Sequence, residues 1–204
     1  TFYVSPAGGG SGSSLFSKAC AYEGQTNALD DCANLMTGMD LGWGTALSAA
    51  VDVGNGIGVA FGYEGEDNHE GLGTDEGLDA YAFNASYIKD SYGFSYTFMV
   101  SENDANNNRT LSGGESEYQS FNAFYTPSVD RLPSISFGIE WRHDDSVANA
   151  DADETSHYFI GAQFDSLGNG TLGGAVGSKT PYAENADAET MWEAYYAYNY
   201  ADGI

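Results

Sequence analysis

Basic side chains are close to missing from this chain. Six Lys and Arg stand against thirty Asp and Glu in 204 residues, for a formal net charge of −24. Holding phosphates takes a basic face, so nucleic acid is not an expected partner. Docking on anionic lipid through a polybasic patch is disfavoured for the same reason. Long apolar runs are missing too, and no stretch approaches the roughly 20 residues of a membrane helix. Proline occurs four times, cysteine twice and histidine three times. With so few histidines, and with no nucleophile elbow, phosphate-binding glycine loop or zinc-binding helix motif, an enzyme is not expected.

What the chain does have is glycine, 27 residues, and tyrosine, 15, a composition suited to pleated strands. Period-two alternation recurs along it. Tyr92, Phe94, Tyr96, Phe98 and Val100 point one way, and Gly93, Ser95, Thr97 and Met99 the other. Ser134–Arg142, His157–Asp165 and Ile57–Glu64 repeat the scheme. Weaker runs lie at Trp43–Val53, Tyr81–Tyr87, Phe121–Tyr125, Leu172–Val176 and Trp192–Tyr200, with another near Thr1–Val4. The expectation is nine to ten strands of roughly 9–11 residues, the length a tilted strand needs to cross a bilayer.

The connections alternate in length. Gly54–Gly56, Lys89–Ser91, Ser166–Gly170 and Pro127–Pro133 are short, whereas Ser5–Leu41, Gly65–Gly77, Glu102–Glu115, Asp144–Thr155 and Ser178–Glu189 are long and acidic. Membrane up-and-down barrels segregate loop length by end in this way. Aromatic residues cluster at both strand ends. Trp43, Tyr63, Tyr81, Tyr118, Trp141, Tyr158 and Trp192 lie beside long loops, and Tyr87, Tyr92, Tyr125, Phe164 and Tyr200 beside short turns. Amphipathic rings prefer such interfacial levels. The fold class expected is therefore all-β, an antiparallel up-and-down transmembrane β-barrel.

The polar face of these strands is mostly small and uncharged, which suits a barrel lumen better than a soluble surface. Alternation assigns Asn84, Ser95, Thr97, Asn122, Glu140, Arg142, His157, Gln163, Glu193, Tyr195 and Asn199 to a pore lining. Glu140 and Arg142, two positions apart, would set up a local transverse field there, or form an ordinary ion pair. Cys20 and Cys32 have eleven residues between them and no nearby histidine pair. In an exported protein that reads as a disulfide pinning a loop, with roughly 3 kcal/mol from closing it in the chain-entropy model. The loop at 5–41 that carries it is expected outside the membrane, folding in to narrow the path. Asp67, Glu70, Asp151 and Asp153 offer oxygen ligands of the kind a structural Ca²⁺ takes, although their spacing is not that of an EF-hand.

Two stretches carry a family resemblance. Ser17-Lys18-Ala19-Cys20-Ala21-Tyr22 through Leu29-Asp30-Asp31-Cys32-Ala33, followed by the strand at 42–52, is one; Met191–Ile204 is the other. They resemble the cyanobacterial outer-membrane porins of the carbohydrate-selective (OprB-like) and iron-uptake porin group. That resemblance implies a barrel of about sixteen strands, passive diffusion of small hydrophilic solutes or inorganic ions, homotrimers, and contact with bilayer and lipopolysaccharide in the outer membrane. Family members also carry an N-terminal surface-layer-homology region. Neither that region nor sixteen strands is seen here, so residues 1–204 are expected to be one incomplete porin domain. The competing expectations are a secreted acidic soluble β-protein of adhesin or lectin type, and a surface-layer or filament subunit.

Overall fold

The computed structural model describes residues 1–6, 10–24, 29, 32–33, 44–65, 79–102, 115–129, 131–144, 153–180 and 182–198. Among them are eleven strands: β1 (Phe2–Ser5), β2 (Thr45–Gly54), β3 (Ile57–Gly65), β4 (Asp79–Ile88), β5 (Tyr92–Glu102), β6 (Glu115–Tyr125), β7 (Ser134–Asp144), β8 (Glu154–Leu167), β9 (Gly170–Ser178), β10 (Tyr182–Ala183) and β11 (Thr190–Tyr198). Each long strand pairs antiparallel with its neighbour in sequence, in the order β1 to β9 and then β11, while the two-residue β10 pairs with β8. The all-β, up-and-down expectation is met. Closure into a barrel is not: among the described residues β1 pairs only with β2 and β11 only with β9, leaving an open sheet. At four residues β1 matches only Ala46–Ala49 of β2, so that edge is half-length.

Two of the short connections are turns built by residues that tolerate positive φ. At the β2–β3 hairpin Gly54, Asn55 and Gly56 have φ of 96°, 55° and 85°, a run that glycine and asparagine adopt readily. Gly168 does the same, with φ of 66°, between β8 and β9. Of the long segments, 66–78, 103–114 and 145–152 lie outside the described residues. The segment expected as a free loop at Ser178–Glu189 is partly structured. Tyr182 and Ala183 return to pair with Ser156 and Thr155, and the Glu184 amide donates to the Glu154 carbonyl at 2.9 Å. Sequence alternation missed this because two residues carry no period.

Burial on the two faces is inverted relative to a soluble sandwich. One face turns apolar side chains outward, and its cross-strand rows are continuous: Phe94, Ala123, Phe137, Ile160, Val176 and Trp192 oppose one another from β5 to β11. Trp192 is 75 % exposed and Ile160 47 %. The other face is polar and buried. Asn84, Thr97, Ser120, Glu140 and His157 form one row across β4 to β8, and Asn122 and Glu140 are fully excluded from solvent. A charged or amide side chain is stable there only with partners, and the covering layer described below supplies many of them.

At Gly56 the positive φ coincides with close backbone, since a Cβ there would strike the Ile88 carbonyl. Gly56→Ala is therefore expected to destabilise the sheet by about 1–2 kcal/mol. Asn55→Gly should be close to neutral. Thermal unfolding midpoints of the two variants check this, and equal midpoints would contradict it.

Candidate functional site

What covers the polar face is the chain between β1 and β2. Residues 10–24 run across the strands as a strap that turns at 12–15, and from Ser17 to Glu23 the order of its amide contacts follows the order of strands in the sheet. The Gly12 amide donates to the Glu64 carboxylate of β3 at 2.5 Å, and the Ser14 hydroxyl meets that of Ser48 on β2 at 3.1 Å. Ser17 N–H donates to Asn84 Oδ1 on β4 at 2.9 Å, while Asn84 Nδ2 donates back to the Ser17 carbonyl at 3.2 Å. Ala19 N–H donates to Ser95 Oγ on β5 at 2.9 Å. The amides of Ala21 and Tyr22 share Ser136 Oγ on β7, at 2.9 and 3.1 Å. Glu23 N–H reaches Gln163 Oε1 on β8 at 2.8 Å. The Tyr22 hydroxyl donates to Glu193 Oε1 on β11 at 2.6 Å.

The spacing explains the match. Four strand separations from β4 to β8 come to about 19 Å, and the six extended residues from Ser17 to Glu23 reach about 20 Å. Nearly one wall acceptor per two strap residues therefore comes within reach. An irregular segment laid on protein has no ladder of its own, so its amides need such acceptors.

Cys32 is joined to Cys20 by a disulfide, as the sequence led us to expect, with Cα atoms 6.0 Å apart. The Cys32 carbonyl accepts a hydrogen bond from Asn122 Nδ2. It lies directly over Gly138, where any Cβ would collide with it. Cys32 and Ala33 have φ of 63° and 47°, a left-handed conformation held on one side by the disulfide and on the other by the wall. Beneath this turn sits a small apolar cluster of Tyr22, Leu29, Cys32, Ala33, Phe159 and Ala175. The Tyr22 ring meets Phe159 edge-on at 5.2 Å and Tyr195 at 5.8 Å. Gly161 leaves room for both Tyr22 and Phe159. Gly62 does the same under Gly12, and Phe16 of the strap packs against Ala80, Ala82 and Met99.

The structure brings most of the anticipated pore residues together on this face, but behind the strap. Asn84, Ser95, Thr97, Asn122, Glu140, His157, Gln163 and Glu193 are all buried. Asn84 also donates to Thr97 Oγ1 at 2.9 Å, and the half-buried Tyr195 donates its hydroxyl to Gln163 at 2.6 Å. Glu140 stands opposite His157 on β8 and Ser120 on β6. The Arg142 guanidinium pairs with Asp144 and lies 5.5 Å from the centre of the Tyr118 ring. Asn199 and the acidic residues Asp67, Glu70 and Asp151 lie outside the described residues. Asp153 is described, and its carbonyl accepts from the Asp144 amide at 2.8 Å. Among the described residues no three His, Cys, Asp or Glu side chains converge as a metal site.

Sequence reasoning missed Gly62, Gly138, Gly161 and Phe159 as strap contacts. Phe159 was the available clue, because on its face of β8 it is a large apolar residue between His157 and Gly161.

No protein-family model matches the chain, and no curated protein or solved structure matches it.

Gly138 makes the seat of the strap testable. Gly138→Val should push Cys32 off the wall at an overpacking cost of about 1–3 kcal/mol, which corresponds to roughly fivefold to a hundredfold in strap opening. The Cys20–Cys32 disulfide should then be reduced correspondingly faster by dithiothreitol, as followed by thiol alkylation. Gly174→Ala, whose Cβ would meet only the Glu193 carbonyl at an ordinary 3.5 Å, should leave the rate unchanged. Equal rates for Gly138→Val and the unaltered chain would show that the Gly138 notch does not hold Cys32.

Proposed function

We propose that this sheet is wall of a transmembrane β-barrel of porin type, passing small hydrophilic solutes or inorganic ions by passive diffusion across an outer membrane. The observation that carries the reading is the inverted burial: an outward face of Phe, Ile, Val, Tyr and Trp, and an inward face of Ser, Asn, Gln and buried carboxylates. A soluble monomer rarely exposes a contiguous apolar patch beyond a few hundred Å². A single aromatic side chain contributes about 150–250 Å², so the row from Phe94 to Trp192 alone approaches that limit. Lipid is the solvent that such a face suits.

Further features support the same reading. Most of the long strands hold 9 to 11 residues, matching a tilted crossing of a bilayer. Tyr87, Tyr92 and Phe94 gather at the short-turn end, with Tyr87 ring distances of 5.9 Å and 5.4 Å to the other two. Lys89 lies 5.5 Å from the centre of the Tyr87 ring, an arrangement that suits a headgroup level. Among the described residues no helix is long and apolar enough to cross a membrane, and in this reading the strands do so. In the proposal the barrel is completed by pairing of the open edges at β1 and β11 or by further strands, of which the porins the sequence resembles have about sixteen in all. Homotrimeric assembly belongs to the same proposal.

Ile160 lies mid-strand on the outward face. In a bilayer Ile160→Arg should destabilise by about 2–4 kcal/mol. On a water-facing surface the same change should fall within about 0.5 kcal/mol. Guanidinium unfolding of protein reconstituted in vesicles separates the two. The function itself is tested by adding the detergent-purified chain to a planar bilayer, where discrete conductance steps are expected. A chain that stays monodisperse in plain buffer and yields no conductance would sink the porin reading in favour of a secreted soluble β-protein.

A further inference from the structure

We infer that Lys18, on the open side of the strap, sets the charge selectivity of the path, with Glu23 acting against it. The inference rests on the porin reading and adds which residues a passing ion meets. Between Ser17 and Glu23 the strap turns its amides to the wall, at Asn84, Ser95, Ser136 and Gln163. Those wall side chains are buried behind it and out of reach of a solute. Within residues 10–24 the exposed side chains are Ser14, Lys18 and Glu23. The amides on either side of Lys18 are fixed to the wall at 2.9 Å each. Lys18 is exposed between these two anchor points, on the polar side of the sheet.

Position makes this one charge count. The chain has six basic residues against thirty acidic ones. Among the described residues Lys89, Arg131, Arg142 and Lys179 stand at or near strand ends. Lys18 thus brings the cation that the strap holds over the middle of the sheet. Charges more than a Debye length from a passing ion, about 8 Å in physiological salt, are largely screened. The acidic long segments at the rim would therefore enrich cations at the mouth, while the strap decides what happens further in. Lys18 favours small anions there, and Glu23, five residues on, favours cations.

The test is reversal potential across a planar bilayer in a potassium chloride gradient, for the unaltered chain and for Lys18→Glu, Lys18→Gln and Glu23→Gln. Lys18→Glu should raise the potassium-to-chloride permeability ratio about twofold or more, with Lys18→Gln shifting it less in the same direction. Glu23→Gln should lower the ratio. Because Lys18→Gln and Glu23→Gln alter charge with opposite signs, a strap merely knocked loose would move both the same way and raise conductance in both, which overturns the inference. Normal conductance with an unchanged ratio in Lys18→Glu and Lys18→Gln also overturns it while the porin reading stands. No conductance from the unaltered chain removes the porin reading and the inference with it.

Discussion

Backbone amides of the strap, received by side chains of the wall, are the interaction on which the rest of the structure depends. A sheet with its apolar side outward leaves its polar side to be solvated or covered. Here it is covered, and the cover is a stretch of chain with its own unsatisfied donors. Asn84, Ser95, Ser136 and Gln163 accept those donors. Each set of groups removes the other's desolvation penalty, which would otherwise run to about 1–3 kcal/mol per buried unpaired group. The net gain from one such bond is only about 1 kcal/mol, so the arrangement is held by the set of contacts taken together.

The disulfide and the glycines make that set attainable. Closing Cys20 to Cys32 removes freedom from the segment before it docks. It also holds Cys32 in a left-handed conformation that would be unfavourable in a free chain. Gly138, Gly161 and Gly62 lower the wall where the strap comes closest. A β-branched residue at any of them would keep backbone and wall apart by more than a hydrogen bond can span. The small apolar cluster around Phe159 and Tyr22 then packs beneath the Cys32 turn.

Much of the fold was legible in the sequence, because period-two alternation is a local property and the strands are long. β3 to β9 and β11 fall where the alternation put them, and the turn at Gly54–Gly56 follows from residues that accept positive φ. What alternation cannot carry is a contact between segments far apart in the chain. Ser136 was legible as polar-facing, but nothing near it announces the amides of Ala21 and Tyr22, more than a hundred residues away. Small polar residues on one face fit both a wet lumen and a docking track, so alternation put Asn84, Thr97 and Gln163 on one face without saying what covers it. The Cys20–Cys32 pair was legible from spacing and context, whereas its seat over Gly138 was not. Barrel closure depends on pairing between β1 and β11 or on further strands, a global property that no local pattern reports.

The strap also bears on how the sheet keeps its register. In an ordinary amphipathic sheet a one-residue slip is opposed because it moves the apolar set to the wrong face. Were the inner face left to open water, its small polar residues and glycines would oppose a slip only weakly. With the strap in place the inner face is specified as closely as the outer. A slip of β7 by one residue would bring Phe137 or Ile139 beneath Cys32 in place of Gly138, and would take Ser136 away from two amides at once. A slip of β8 would withdraw both Phe159 and Gln163. The same contacts that cover the polar face therefore select the pairing of β4 through β8, and the tight turns at their ends need only keep it.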